Sequence, residues 1–433
     1  MNSSHHIVIV GGGFAGTTLA RALDDARWPG LELTLISDES YTTFNPLLAE
    51  AVGASVFPEQ VVAPVREMLD PTRGDRFIMG RVTAIDTRER TLRCQTLGGE
   101  RAIHYDQVVL AYGNRARLDL IPGTAMHALP LKTVGDALHI RNVVLRRLAR
   151  IELESDPTLR RELGHFVVIG GGFSGAEVAG ELADCLKSIK RFYPRVAADE
   201  LRVTLLHDQD RLLPELTPRM GEAALRSLRR RGIAVRLNSR AVSITERNVM
   251  LADDDSIAAQ TVVCTIGTRP NPLTNELGVP VERGRIVVND DLSVPEHAGV
   301  WALGDCARVR NGVDGTLSPP TAQFAVRQAK HLAHNLLARR NGRVTMPFAA
   351  RSRGIMAAIG HHNGVAEVFG IGLSGLPAWL LWRAYYLSQM PTLRRKLRIF
   401  VEWTWGMFFP ADITHLRFTR SQELEAEEAR PAR

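Results

Sequence analysis

Residues 165–175, HFVVIGGGFSG, nearly repeat residues 6–16, HIVIVGGGFAG. Each copy is an apolar run that opens into glycines at the spacing G-x-G-x-x-G and continues into a helical pattern. In a βαβ unit the first glycine allows a tight turn, the second lets backbone amides approach a pyrophosphate, and the third lets the helix pack closely on the strand. One such run is weak evidence, because Gly-rich strand-to-helix turns are common. Two in the same setting point to two dinucleotide sites in one chain, marked by Gly11, Gly13 and Gly16 and by Gly170, Gly172 and Gly175, with Phe14, Ala15, Phe173 and Ser174 between them.

Outward from these runs, each half repeats one plan. The first βαβ unit ends in the strand LELTLIS (31–37), and the second in LRVTLLH (201–207). FNPLL (44–48) follows the first unit, with an Asn-Pro turn leading into a helical segment. Strand patterns then close on small-residue turns, LAYG (110–113) in the first half and CTIG (264–267) in the second. A charged helical stretch over about 135–163 precedes the second unit. GVWALGDCA (299–307) reads as a buried strand opening at Gly304-Asp305, and Pro319-Pro320 stand where a helix begins. The expected architecture is α/β, with two Rossmann-like domains: a first domain in two parts (1–120 and 286–350), an inserted second domain (121–285), and a C-terminal module (351–433).

At 433 residues, 45% hydrophobic and 23% charged, the chain can bury a full core. Its four cysteines, Cys94, Cys185, Cys264 and Cys306, include no close pair, which speaks against a disulfide framework, a zinc site or a local redox disulfide. No metal site is expected. The first strand begins near residue 6, leaving no room ahead of it for a signal peptide, and no run of about 18 apolar residues is present to span a bilayer. A net charge of +7 favours anionic partners. Nucleic acid is not among those expected, because no binding motif and no aromatic-basic interleaving is present.

The chain resembles the two-dinucleotide-binding-domain flavoproteins of glutathione-reductase-like fold, and most closely the type II NADH dehydrogenases, the single-subunit, non-pumping NADH:quinone oxidoreductases. The paired glycine runs, FNPLL, LAYG, CTIG, GVWALGDCA, PPTAQFAVRQ and GLPAWLLW carry the resemblance. It implies that FAD is held by the first glycine run, Pro46, Val82, Ala111, Gly113, Gly304, Asp305, Ala322 and Gln323. It places the nicotinamide dinucleotide on the second run, His207 and Gly267. Glu177 matches a carboxylate kept near flavin and nicotinamide, where burial would raise its pKa and suit it to proton transfer; a helix-start Glu with Glu181 one turn on is the competing reading. The implied reaction is hydride transfer from NADH or NADPH to FAD, then reduction of a membrane quinone. Sulfide:quinone and ferredoxin reductases are alternatives on the same fold.

Three positions depart from the family. Ser37 stands where an acid would hold the adenosine ribose of FAD; either Asp38 takes that role or Ser37 does so as a neutral hydrogen-bonder. His207 replaces the acid at the second strand end, which leaves NADH and NADPH both open. In the quinone helix A-Q-x-A-x-Q becomes AQFAVRQ, so that Gln323 matches, Arg327 replaces the second glutamine, and Gln328 follows one residue later, about 100° around the helix. Gln323 and Gln328 are both candidates to hold the acceptor.

From Gly375 the composition changes. Trp379, Trp382, Trp403 and Trp405 fall here, with Leu387, Leu397 and Phe400 and the basic residues Arg383, Arg394, Arg395, Lys396 and Arg398. Residues 375–420 therefore read as helices lying on an anionic membrane surface, at its cytoplasmic face, with a disordered tail from about Glu423. A homodimer surface, or a helix packed on the sheet, is the alternative.

Overall fold

The computed structural model describes residues 5–26 and 28–416, so the tail expected beyond Glu423 and the last residues of the proposed membrane module lie outside the described residues. The helices that position the site are α1 (Phe14–Asp25), α2 (Leu48–Val52), α3 (Val134–Leu153), α4 (Phe173–Ile189), α5 (Ala322–Arg340), α6 (Leu376–Gln389) and α7 (Leu393–Trp405).

Two sheets carry the two glycine runs. The first has seven strands in the order Val300–Ala302, Gln107–Leu110, His5–Val10, Leu31–Ser37, Arg76–Asp86, Thr91–Thr96 and Gly99–His104. The first five run parallel, with Ile7 level with both Leu33 and Gln107, and the last two turn back antiparallel. Ile7, Val8, Ile9 and Val10 are all buried, because helices cover both faces of a parallel sheet. The second sheet is wholly parallel, in the order Leu129–Pro130, Thr261–Cys264, His165–Ile169, Arg202–Leu206 and Ala234–Arg236. Between the sheets, Asn114–Ala116 pairs antiparallel with Thr268–Pro270, where the chain leaves the first half and returns to it.

Two large cores form. One surrounds the first sheet and includes Leu19 and Leu23 of α1 with Leu332 and Leu336 of α5. The other joins three distant parts of the chain: Leu47, Val52 and Val61 from the first half, Phe166, Val168 and Leu182 from the second, and the C-terminal residues Ile359, Trp379, Trp382, Ile399 and Trp403.

That second core corrects the expected role of the C-terminal tryptophans. Trp379, Trp382 and Trp403 are 2%, 1% and 4% exposed, and Leu387 packs partly against the same core. An antiparallel sheet, Ile355–Ala358, Gly364–Val368 and Ile371–Gly375, leads into α6 and α7 and seats them there. Two of the five basic residues are also withdrawn from the surface. Arg383 faces the buried Glu50, and Arg395 donates to the Glu59 carbonyl at 2.7 Å. The sequence pattern misled here because tryptophan and arginine flank apolar faces equally well in a core with buried ion pairs and at a lipid interface.

What α7 does expose is a different stripe. Leu393, Leu397, Phe400, Val401 and Trp405 recur at helical spacing and are 56–72% exposed, while Arg395, Ile399 and Trp403 face inward. Leu376 and Leu380 of α6 and Phe408 beyond α7 are exposed too, and Arg394 and Arg398 stand beside the stripe. No helix among the described residues is long and apolar enough to cross a membrane.

Candidate active site

A single cleft of about 2300 Å³ lies between the two halves and reaches the C-terminal helices. Its first-half wall contains Gly11, Gly13, Phe14, Ala15, Ser37, Asp38, Pro46, Val82, Ala111, Gly113, Gly304, Asp305, Ala322 and Gln323, and its second-half wall contains Phe173, Ser174 and Glu177.

The glycine loops have the stereochemistry the spacing requires. Gly11 has φ 120°, and a Cβ there would lie 2.4 Å from the Ala111 carbonyl oxygen. Nothing stands within 4 Å of a Cβ placed on Gly13, so the backbone is open to a ligand there, whereas a Cβ on Gly16 would lie 1.9 Å from the Gly11 oxygen. The second loop repeats this: Gly170 has φ 113°, Gly172 is open, and a Cβ on Gly175 would lie 1.7 Å from the Gly170 oxygen. In each loop the first and third glycines are needed for packing and the middle one leaves room for phosphate, so both loops fit a dinucleotide.

On the first side, Asp305 sits at a turn opened by Gly304, at φ 73°. Its Oδ2 accepts from Asn114 Nδ2 at 3.0 Å, and Asn114 Oδ1 accepts from Lys132 Nζ at 2.6 Å. Burial pushes the Asp305 carboxyl up, opposed by Lys132, Arg285 and the Asn114 hydrogen bond. Neither Asn114 nor Lys132 belongs to a motif, so no pattern in the chain marks this support. Beside Val82 the pairing with Thr91–Thr96 slips by a residue, and such a bulge re-aims the backbone at the site. The amino end of α5, capped by Thr321, opens on the cleft. Both Ser37 and Asp38 line the cleft, and Asp38 is held by Arg81 at 3.0 Å.

Gln328 does not reach the cleft. It is 2% exposed, and its Oε1 accepts from the Gly304 amide at 2.8 Å, so it fixes the turn that carries Asp305 instead of meeting an acceptor. The 100° step around α5 turns it inward. Gln323 does line the cleft, but both ends of its amide engage the neighbouring strap, donating to the Gly354 carbonyl at 3.2 Å and accepting from the Arg353 amide at 3.1 Å. Arg327 lines the cleft and donates to the Arg351 carbonyl.

His207 also lies elsewhere than expected. It is 7% exposed beneath the second glycine loop, where Nδ1 accepts from the Gly171 amide at 3.1 Å and the ring fills the space a Cβ on Gly171 would take. It therefore shapes the loop from beneath and is not among the residues that line the cleft. The adjacent Asp208 side chain is 60% exposed. Gly267, at φ 80°, accepts from the Arg117 amide and sets the crossing between halves.

Glu177 opens to the cleft from the first turns of α4, and its Oε1 accepts from the Ala358 amide at 3.3 Å. Protein surrounds the carboxyl on its other sides, and burial lifts its pKa well above the ordinary range, with Glu50 and Glu181 adding repulsion. Tyr386 stands near it and joins Phe44 and Phe14 in a run of edge-on aromatic contacts, with centroids 5.8 and 5.7 Å apart. The four cysteines are buried and unpaired, and none lines the cleft. Two glycine loops shaped for phosphate, a flavin-type Gly-Asp turn and a half-buried carboxyl, with the first loop, the start of α4 and the turn meeting at one cleft, define a protein built for two dinucleotides.

Comparison with known proteins agrees. The family described as pyridine nucleotide-disulphide oxidoreductase matches residues 5–329, and the NDH2 C-terminal domain matches residues 353–411. The type II NADH:quinone oxidoreductase Ndh of Mycobacterium tuberculosis is 28% identical, over 92% of this chain and 87% of its own. The demethylphylloquinone reductase NdbB of Synechocystis is 30% identical, over 92% and 95%. The structure of NDH2 from Plasmodium falciparum in complex with NADH superimposes with a TM-score of 0.87 at 18% identity, covering 95% of this chain and all of that one. The chain belongs to the type II NADH dehydrogenases within the pyridine nucleotide-disulphide oxidoreductases.

Proposed function

We propose that the protein oxidises NADH or NADPH and reduces a membrane quinone. The observation that carries this reading is the single cleft onto which the first glycine loop, Phe173 and Ser174 at the end of the second, the amino end of α5 and Glu177 open. FAD, when bound, accepts a hydride from the nicotinamide and passes two electrons to the acceptor. The residues of this chain hold and orient the partners. Segments 1–120 and 286–350 cradle the flavin dinucleotide through Gly13, the Val82 backbone, Asp305 and the α5 amides, whose dipole favours negative charge at its end. Segment 121–285 presents the nicotinamide dinucleotide through Gly172 and Ser174. With His207 beneath the loop, Asp208 becomes the acid that reads the ribose. Tyr385 and Tyr386 give the quinone an apolar, planar wall, and Glu177 holds a proton within reach of it.

The exposed stripe on α7 and its flanking Arg394 and Arg398 would rest on anionic lipid at the cytoplasmic face, with the quinone reaching the cleft from there. The module spans residues 351–433 in this assignment, and a homodimer is compatible with it. The test is a matrix of steady-state rates for NADH and NADPH against short-chain quinones, with sulfide as alternative donor and ferredoxin as alternative acceptor. Quinone-dependent oxidation is expected. Turnover confined to sulfide or ferredoxin would overturn the reading.

A further inference from the structure

Behind Glu177 the protein buries two more carboxyls for which the quinone reading gives no use. Glu181, one turn along α4, is 4% exposed, and Glu50 on α2 is 3% exposed. Ser55 Oγ donates to Glu181 Oε2 at 2.7 Å, and Trp403 Nε1 donates to Glu50 Oε2 at 2.7 Å.

Among the described residues the cation that faces both is Arg383, held between the Trp379 and Trp403 rings at 3.8 and 4.7 Å from their centroids. Its Nη2 is 3.9 Å from Glu50 Oε1, too far for a hydrogen bond, and its buried Nε–H has no protein acceptor. One guanidinium faces two buried carboxyls with the half-buried Glu177 beside them, an arrangement that disfavours all three being charged at once. Burial raises all three carboxyls, and repulsion from neighbouring acids adds to it at Glu177 and Glu181, against Arg383, Trp403, Ser55 and the Ala358 amide. The other neighbours are Asp184, which Arg231, Lys187 and the His361 amide hold, Tyr386 beside Glu177, and Cys185 beside Glu181. Outward from Glu50 lies Glu402 on α7, half-buried and also raised by burial, in contact with the Phe57 amide and near Glu59 and Arg141.

We propose that Glu402, Glu50, Glu181 and Glu177 form a proton relay from the α7 surface to the acceptor end of the cleft, in which Ser55 and the free Nε–H of Arg383 hold bridging water. Rearrangement of such a line needs only carboxyl rotation and hydroxyl turnover. The inference rests on the quinone reading. In NADH + H⁺ + quinone → NAD⁺ + quinol, two O–H bonds form. The hydride brings two electrons and one hydrogen nucleus, and the remaining proton comes from water through the relay to a quinone oxygen.

The test compares two acceptors on the FAD-loaded enzyme. Ferricyanide takes electrons alone, in NADH + 2 ferricyanide → NAD⁺ + H⁺ + 2 ferrocyanide, and draws no proton from the protein. Glu181→Gln should lower the quinone rate relative to the ferricyanide rate by about tenfold, less than the ~100-fold loss of a direct general acid. The gap should widen at high pH, the solvent deuterium isotope effect of the quinone reaction should grow, and Glu181→Asp should recover part of it. An infrared difference spectrum on NADH addition should lose a protonated-carboxyl band in Glu181→Gln. If that variant does not retain FAD, Glu50→Gln is read in the same way. Equal loss with both acceptors, or no loss with either, overturns the relay and leaves quinone reduction standing. A wild-type enzyme that reduces ferricyanide and no quinone overturns the quinone reading itself.

Discussion

A carboxyl that is to pass a proton to a bound partner has to be partly withdrawn from water and still touch the site, and Glu177 is half-buried, raised by burial and open to the cleft. Glu177→Gln should bind FAD normally and lower the quinone rate by about 100-fold, most at high pH where water supplies few protons; pH profiles from about 6 to 9 measure this. At the second loop, Asp208→Asn should shift the NADH to NADPH ratio of kcat/KM toward NADPH, because a charge that repels a 2′-phosphate is removed. An unmoved ratio would take the ribose away from Asp208. These two residues differ in how far the sequence could place them. Glu177 was legible because its distance from the second glycine run sets its place on the helix. His207 and Gln328 were not, since an expected ligand and a buried brace occupy the same strand end or helix turn, and only the packing around Gly171 and Gly304 tells them apart.

At the scale of elements, α7 has two unlike faces. Leu397 and Phe400 are 58% and 56% exposed while Ile399 and Trp403, between and beyond them, are core. Leu397→Glu with Phe400→Glu should leave the fold intact and abolish sedimentation with anionic vesicles, since apolar burial at ~25 cal/mol per Å² is lost and two charges repel the lipid. Activity with a long-chain quinone should fall with it, and activity with a soluble short-chain quinone should hold. Vesicle binding that survives would assign the stripe to contact between protein copies. Removing the module by truncation is no substitute for this test, because Trp403→Ala alone should cost about 3–5 kcal/mol. The helices themselves were legible from apolar spacing. Which face turned inward depended on Glu50 and on Phe166 and Val168, more than 200 residues away in the chain, and no local pattern contains that information.

For the whole molecule, the buried acids make stability a function of pH. Glu181 is raised from 4.5 to about 8, mainly by burial, and Glu50 and Glu177 shift in the same direction. The folded state thus holds protons that the unfolded chain releases. The stability they contribute is fully present below about 4.5 and is lost as pH rises through about 8, at up to ~1.4 kcal/mol per pH unit for one group. The thermal midpoint should fall as pH rises from about 6 to 9, and Glu181→Gln should flatten that fall. An equally steep fall in the variant would move the effect to other groups. The plan of two sheets was readable from the repeated glycine runs, since each imposes its own strand, turn and helix. The merging of three chain segments into one core was not.

That merged core also orders events during synthesis. Leu47, Val52 and Val61 leave the ribosome early, yet the tryptophans that close their core lie at positions 379, 382 and 403. Domains that fold as units do so from the amino terminus onward as the chain emerges, but this core has no closed unit until nearly the whole chain is out. The growing chain therefore carries an open apolar seam for most of its translation, the interval in which it is most exposed to aggregation. The exposed apolar stripe of α7 is displayed only at the end, on a body whose interior has just become complete.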